Sequence, residues 1–230
     1  MDVLEKYGNV ITAKGIKKVF RASDKEEVYA LNDVNIEIAR GKLTVLCGKS
    51  GSGKTTLMNI LSGLDKPSSG EVFFLGKEIS GLTEEEKGQL RRKQLGFIFQ
   101  SVSLIPVMTI CENVEFALRL AGKTEGMHHR AKECLSLVGL EKRIDHMPQE
   151  LSGGEMQRAA IARGIAHNPI VLFADEPTAE LDSGTGQAVM KLFRKLVSEK
   201  GISIVMTTHD MSLLSDEDIV YRLNDGKIAE

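Results

Sequence analysis

The run GKSGSGKTT at 48–56 constrains this chain more than any other stretch. It sits between the apolar run LTVLC and the helix-like TTLMNILSG. From Gly48 to Thr55 it fits G-x-x-x-x-G-K-[ST], a loop built to hold phosphate. Glycines let the backbone curl until successive N–H groups point into one concavity, which suits anionic oxygens. The helix that begins there adds its free N–H groups and the positive end of its dipole. Lys54 can reach the β- and γ-phosphates of a nucleotide, and the Thr55 hydroxyl can ligate Mg²⁺. A ligand-free glycine turn would need neither a strand before it nor a helix after it, and both are predicted here.

A second run supplies the acid partners. IVLFADEPT places Asp175 and Glu176 at the carboxyl end of an apolar strand, where α/β sheets present ligand groups. Asp175 can hold Mg²⁺, directly or through water, and Glu176 can polarise a water for attack on the γ-phosphate. The bland alternative is a pair of carboxylates capping the next helix. Two acids beside a phosphate loop favour hydrolysis over transfer to a bound hydroxyl.

The remaining pattern bounds the fold. Strand signals appear in VITAK, VYAL and VNIEI, whose apolar residues alternate with polar ones. LTVLC (43–47) is apolar almost throughout and suits a strand covered on both faces. A helix is predicted from about 55 to 62, closing at Gly63. EVFFLGKEI adds strand, and T83-E-E-E86 is a capping box for a helix reaching Arg91. Residues 101–165 read as a mostly helical insert, with Gly122 and Gly139 ending two segments. Strand IVLFAD, helix GQAVMKLFRKLVSEKG, strand ISIVMTTH and the hairpin IVYRLNDGKIAE follow. Buried strands alternating with helices argue for a parallel α/β core in one domain of 230 residues. Its core would be 1–100 and 166–230, including an N-terminal antiparallel β subdomain, with 101–165 as the helical subdomain.

With 30 Lys and Arg against 32 Asp and Glu, the net charge is −2, so the basic excess of a nucleic-acid binder is missing and no nucleic-acid partner is expected. Cys47, Cys111 and Cys134 are widely spaced and read as buried reduced thiols. The opening MDVLEKYGNV is too polar for a signal peptide, and no run approaches the ~20 apolar residues of a membrane span.

At 151–158 stands LSGGEMQR. Ser152 is a candidate N-cap, and Gly153 and Gly154 allow close backbone approach at a helix start, making a second anion-binding terminus. One nucleotide does not need two such cradles, so this one suits a nucleotide held by another molecule. Here the chain resembles the ATP-binding cassette (ABC) ATPases over essentially its whole length. GKSGSGKTT is similar to their Walker A motif, IVLFADE to Walker B and LSGGEMQR to their signature. FIFQ, ending at Gln100, resembles the Q-loop, AELD (179–182) the D-loop, and TTHD places His209 as the switch histidine.

The resemblance implies a P-loop NTPase (RecA-like) α/β fold and an ATP sandwich of two copies, head to tail. Gly48, Lys49, Ser50, Gly51, Ser52, Gly53, Lys54, Thr55 and Thr56 would bind MgATP with Asp175, and Phe20 would stack on adenine. Thr55, Asp175 and Gln100 would face the metal. Ser152, Gly153 and Gly154 would meet the γ-phosphate across the interface, beside the D-loop residue Asp182. Glu176 would be the catalytic carboxylate, oriented with its water by His209, and Gln100 the sensor of metal and γ-phosphate. Lys49, Glu155, Glu180 and Phe20 depart from the family's commonest residues without removing a catalytic group.

The resemblance also implies an integral membrane permease as partner and a place on the cytoplasmic face of the membrane. SVSLIPVMTICENV, directly after Gln100, reads either as a core loop or as the surface that receives a short helix of that partner. The wording of SGLDKPSSGEVFFLG and LRRKQLGFIFQSVSLIPVMT is similar to the lipoprotein-release, macrolide-efflux and antimicrobial-peptide-resistance group. A regulatory clamp of the cell-division type is the alternative. His128-His129 has no third ligand nearby in sequence and reads as a solvated helix face.

Overall fold

The computed structural model describes residues 8–21 and 27–229. The opening MDVLEKY and Glu230, which entered the sequence reading, lie outside the described residues. Two sheets stack around the first helix. The smaller is antiparallel, in the order β2-β1-β4-β5, from β1 (Asn9–Arg21), β2 (Glu27–Ala39), β4 (Ser69–Phe74) and β5 (Lys77–Glu78). The larger has the order β10-β9-β3-β8-β7-β6. It comprises β3 (Leu43–Cys47), β6 (Leu95–Ile98), β7 (Val171–Ala174), β8 (Ser203–Thr208), β9 (Ile219–Asn224) and β10 (Lys227–Ala229). All its pairings are parallel except the β9–β10 hairpin at the edge.

Every residue of β3, β7 and β8 is buried. Alternation then sends successive side chains to opposite faces of the sheet. Leu172, Ala174, Ile204 and Met206 point into one apolar core, which continues into α3 (Ile110–Leu120), α4 (Met127–Leu137), α5 (Gly153–Ile165) and α6 (Ser183–Lys200). Val171, Phe173 and Val205 point into the other, packed on α1 (Lys54–Leu61) and the antiparallel sheet. The parallel strands are thus near-continuous apolar runs because both faces are covered.

Local chemistry explains the element ends. Thr83 and Glu86 form the expected capping box for α2 (Glu84–Gln94), which runs three residues past the predicted end. The same device, unread in the sequence, opens α3 through Thr109 and Glu112. At the β9–β10 turn Asp225 and Gly226 have φ of 46° and 73°, the paired left-handed residues of a tight hairpin.

Two strand readings change. VYAL and VNIEI are one strand, β2, because Asp33 absorbs a bulge at φ 62° and pairing with β1 resumes beyond it. LGFI, which carried no strand prediction, is β6 and pairs with β7. It follows α2 with no glycine or proline between, so nothing in the sequence punctuates the change.

Candidate nucleotide site

The phosphate loop leaves β3 and enters α1. Gly48, Gly51 and Gly53 take φ of 148°, 78° and 100°, which a side chain would strain. Space forbids one as well: a Cβ on Gly48 would lie 2.3 Å from the Leu223 carbonyl oxygen, and one on Gly53 2.5 Å from that of Ala30. The loop is therefore clamped between β9 and β2. Buried Lys54 donates to the carbonyls of Gly48 at 2.9 Å and Lys49 at 3.1 Å, so its ammonium sits inside the curl of the loop. Ser52 Oγ is buried without a hydrogen-bond partner. An orphaned hydroxyl in a glycine cradle is what a phosphate oxygen would satisfy.

The acid side converges on the same place. Asp175, buried at the end of β7, accepts a hydrogen bond at Oδ1 from Thr55 Oγ1 (3.2 Å) and another from Thr207 Oγ1 (2.6 Å). Thr207 also accepts the Glu176 N–H at 2.8 Å. Glu176 has φ 43°, a left-handed backbone rare for a non-glycine residue and often found at functional sites. Its Oε2 lies 3.3 Å from Nδ1 of the exposed His209. Thr55, Asp175, Thr207, Glu176 and His209 thus form one connected line across two strand ends, those of β7 and β8, and the start of α1. Paired with the Thr55 hydroxyl, Asp175 makes a hard oxygen set that fits Mg²⁺.

Thr207 was not among the residues singled out from the sequence. Its only signal is its place as the first residue of TTHD, and a threonine inside a buried strand reads as packing.

The other predicted residues lie around this line. Gln100, exposed just after β6, shares a cavity of about 250 Å³ with Gly153, Gln157, Glu176 and Glu180. Phe20 is exposed near the end of β1, with the Lys18 ammonium 5.2 Å from its ring centroid. Asp182 caps α6 by accepting the Thr185 N–H and hydroxyl, which hold its carboxyl below the usual range. Lys49, Ser50 and Thr56 lie along the loop and the first turn of α1.

Ser152 caps α5, and the hydrogen bonds of its hydroxyl run to Glu155. The Ser152 N–H and hydroxyl, helped by Arg143, hold the Glu155 carboxyl down to about 2. Gly154 is needed for close packing, since a Cβ there would lie 2.6 Å from Thr185 Cγ2. The signature turn is preformed, and its hydroxyl makes no hydrogen bond to the phosphate loop of its own chain.

Beta strands feeding a glycine loop at the carboxyl edge of a doubly covered parallel sheet define a P-loop nucleoside-triphosphatase fold. The sequence profile described as ABC transporter matches residues 31–179. The chain is 42% identical to the lipoprotein-releasing system ATP-binding protein LolD of Francisella tularensis subsp. holarctica, over 95% of either chain. It is 40% identical to the macrolide export ATP-binding/permease protein MacB of Syntrophobacter fumaroxidans, over 96% of this chain and 31% of that one. The ATP-binding cassette MJ0796 of Methanocaldococcus jannaschii, solved as a dimer in a post-hydrolysis state bound to ADP and Pi, superposes with a TM-score of 0.87. That match is 39% identical and covers 96% of this chain and 97% of the other. The chain belongs to the ABC transporter family of ATP-binding subunits.

Proposed function

We propose that this chain is the ATP-hydrolysing subunit of an ABC transporter, closing as a pair around two MgATP and moving a membrane-embedded partner. The connected line from Thr55 through Asp175, Thr207 and Glu176 to His209, beside the glycine cradle, carries this reading. Loop N–H groups and Lys54 bind the phosphates, and Thr55 and Asp175 hold the metal. Mg²⁺, when bound, neutralises charge on the phosphate oxygens. Glu176 accepts a proton from the attacking water while His209 fixes the orientation of its carboxylate. Gln100 faces this site from the far side of the shared cavity and reports it to the helical insert, residues 101–165.

Ser152 and the α5 terminus would receive the γ-phosphate of the facing copy. Their preformed, solvent-exposed cap supports this, as does the dimeric state of a cassette relative. A pair of this kind is isologous, so both sites are complete.

For the partner, an apolar groove of about 430 Å³ opens between β6 and α3. Leu64, Phe99, Ile105, Phe116 and Leu120 line it, with Arg91 and Arg163 at its polar side. Phe99, 41% exposed, stacks on Phe97 at 5.9 Å, an aromatic row left open to solvent. Such a patch suits a short apolar helix of a membrane subunit. Ile105 brings the stretch after Gln100 into the groove, so nucleotide sensing and docking share one segment. Among the described residues no helix is long and apolar enough to cross a membrane, so membrane attachment at the cytoplasmic face would come through this partner. The relatives LolD and MacB support a task of the lipoprotein-release or macrolide-export type.

Replacing Glu176 with Gln tests the reading. ATP hydrolysis should be lost while MgATP drives the variant into a dimer on gel filtration. A variant that stays monomeric with saturating MgATP would contradict the ATP sandwich.

A further inference from the structure

A second cluster lies away from the nucleotide, where α3 meets α4. Cys111 and Glu115 are four residues apart on α3, so one helical turn sets them on the same face. His128 enters from the first turn of α4. The sequence offers His128-His129 no neighbouring third ligand; the fold brings two from 13 and 17 residues upstream.

The three ligand atoms surround a common point. Cys111 Sγ lies 3.6 Å from His128 Nδ1 and 3.7 Å from Glu115 Oε1, and Nδ1 lies 2.7 Å from Oε1. Around tetrahedral zinc, with bonds of roughly 2.3 Å to sulfur and 2.0–2.2 Å to nitrogen or oxygen, ligand atoms stand roughly 3.4–3.6 Å apart. The Sγ–Nδ1 edge already has that length, and the Sγ–Oε1 edge exceeds it by about 0.1 Å. The third is short because nitrogen and oxygen share a proton, and a metal replacing that proton would open it by less than about 1 Å.

Cys111 is buried, whereas the His128 side chain is 63% exposed. One side of the cluster therefore faces solvent and leaves room for a water as fourth ligand. Sulfur, imidazole and carboxylate together select a borderline-soft divalent ion over Mg²⁺ or Ca²⁺. Burial and the Glu115 carboxylate push the Cys111 thiol up to about 11, so a neutral S–H stands beside a carboxylate when no cation offsets them.

We propose that Cys111, Glu115 and His128 bind one Zn²⁺, which clasps α3 to α4. On binding, the S–H bond breaks, a zinc–sulfur bond forms and the proton passes to solvent, with no change of oxidation state. The start of α3 is tied separately to the segment after α4, because the Ile110 and Cys111 N–H groups donate to the carbonyls of His146 and Ile144. Phe116 and Leu120 of the same α3 line the apolar groove, so zinc would stiffen one wall of it.

Cobalt is the probe. The purified full chain, without nucleotide or Mg²⁺ and in a thiol-free reductant, is titrated with Co²⁺. One equivalent should produce a near-ultraviolet thiolate-to-cobalt absorption band that Zn²⁺ displaces. Cys111→Ser and His128→Ala should each abolish the band, Glu115→Gln should weaken binding by at least about tenfold, and Cys47→Ser should leave it unchanged. His128 lies on an exposed helix face, so its replacement leaves the fold intact even if the cysteine variant does not. No band in the parent protein, or a band that survives either abolishing replacement, would overturn the site. Either result leaves the ATPase assignment untouched.

Discussion

Thr207 holds the acid pair of the nucleotide site together, although its residue type suggests only strand packing. Its hydroxyl donates to Asp175 and accepts from the Glu176 N–H, so one oxygen ties the Asp175 carboxylate to the Glu176 backbone. Valine is nearly isosteric but takes away both bonds and leaves a buried carboxylate oxygen short of a partner. Thr207→Val should cost about 1–3 kcal/mol of stability. Because Glu176 would lose its fixed left-handed backbone, kcat should fall more than nucleotide affinity. Denaturant unfolding, steady-state hydrolysis and nucleotide titration separate these effects; an unchanged kcat would remove Thr207 from the positioning of Glu176.

At the scale of elements, helix starts do much of the work. Among the described residues three α-helices open on capping boxes: α2 at Thr83, α3 at Thr109 and α5 at Ser152. Only the last sits where the second anion cradle is proposed, and its Glu155 carboxylate is already committed to the cap. Glu155 titrates near 2 in the fold against an ordinary 4.5. A depressed carboxyl stabilises above the unfolded value and loses that contribution as pH falls through the folded one. Ser152→Ala should therefore lower stability by about 1 kcal/mol at neutral pH, and its gap to the parent should narrow below pH 4.5. Thermal melts across that range test it, and a gap independent of pH would show that the carboxylate does not serve the cap.

Asn113 is another element-scale device. Fully buried on α3, it accepts the Ile105 N–H and donates to the carbonyls of Ile105, Met108 and Thr109. One amide thereby fixes the loop between Gln100 and α3. In the sequence that loop stands out for its apolar residues; what shapes it is a single polar side chain in the segment's last two residues.

For the whole molecule, the helical insert and the sheet share one apolar core. Val114, Leu118, Cys134 and Leu135 of the insert belong with Leu172 and Met206 of the sheet and Phe193 of α6. The insert cannot leave without exposing that face of the sheet, so the chain should unfold in one calorimetric transition. A separate low-temperature transition assigned to 101–165 would show the insert to be an independent unit. The groove lies along this shared boundary.

Local patterns in the chain were enough to reveal the glycine loop, the Thr83 cap, the Asp225-Gly226 turn and the apolar strands, because each depends on residues adjacent in the chain. The candidate site was legible in Lys54, Thr55, Asp175, Glu176 and His209 for the same reason: phosphate and acid chemistry dictates residue type and short spacing. What adjacency could not supply were relations across the chain. The strand order with β8 between β3 and β7, the β2 bulge, the Thr207 bridge and the Cys111–Glu115–His128 cluster all join residues distant in sequence. They arise when covering both faces of one sheet brings those residues side by side, and burial, which acts on neighbours in space, sets which polar atoms must then find partners.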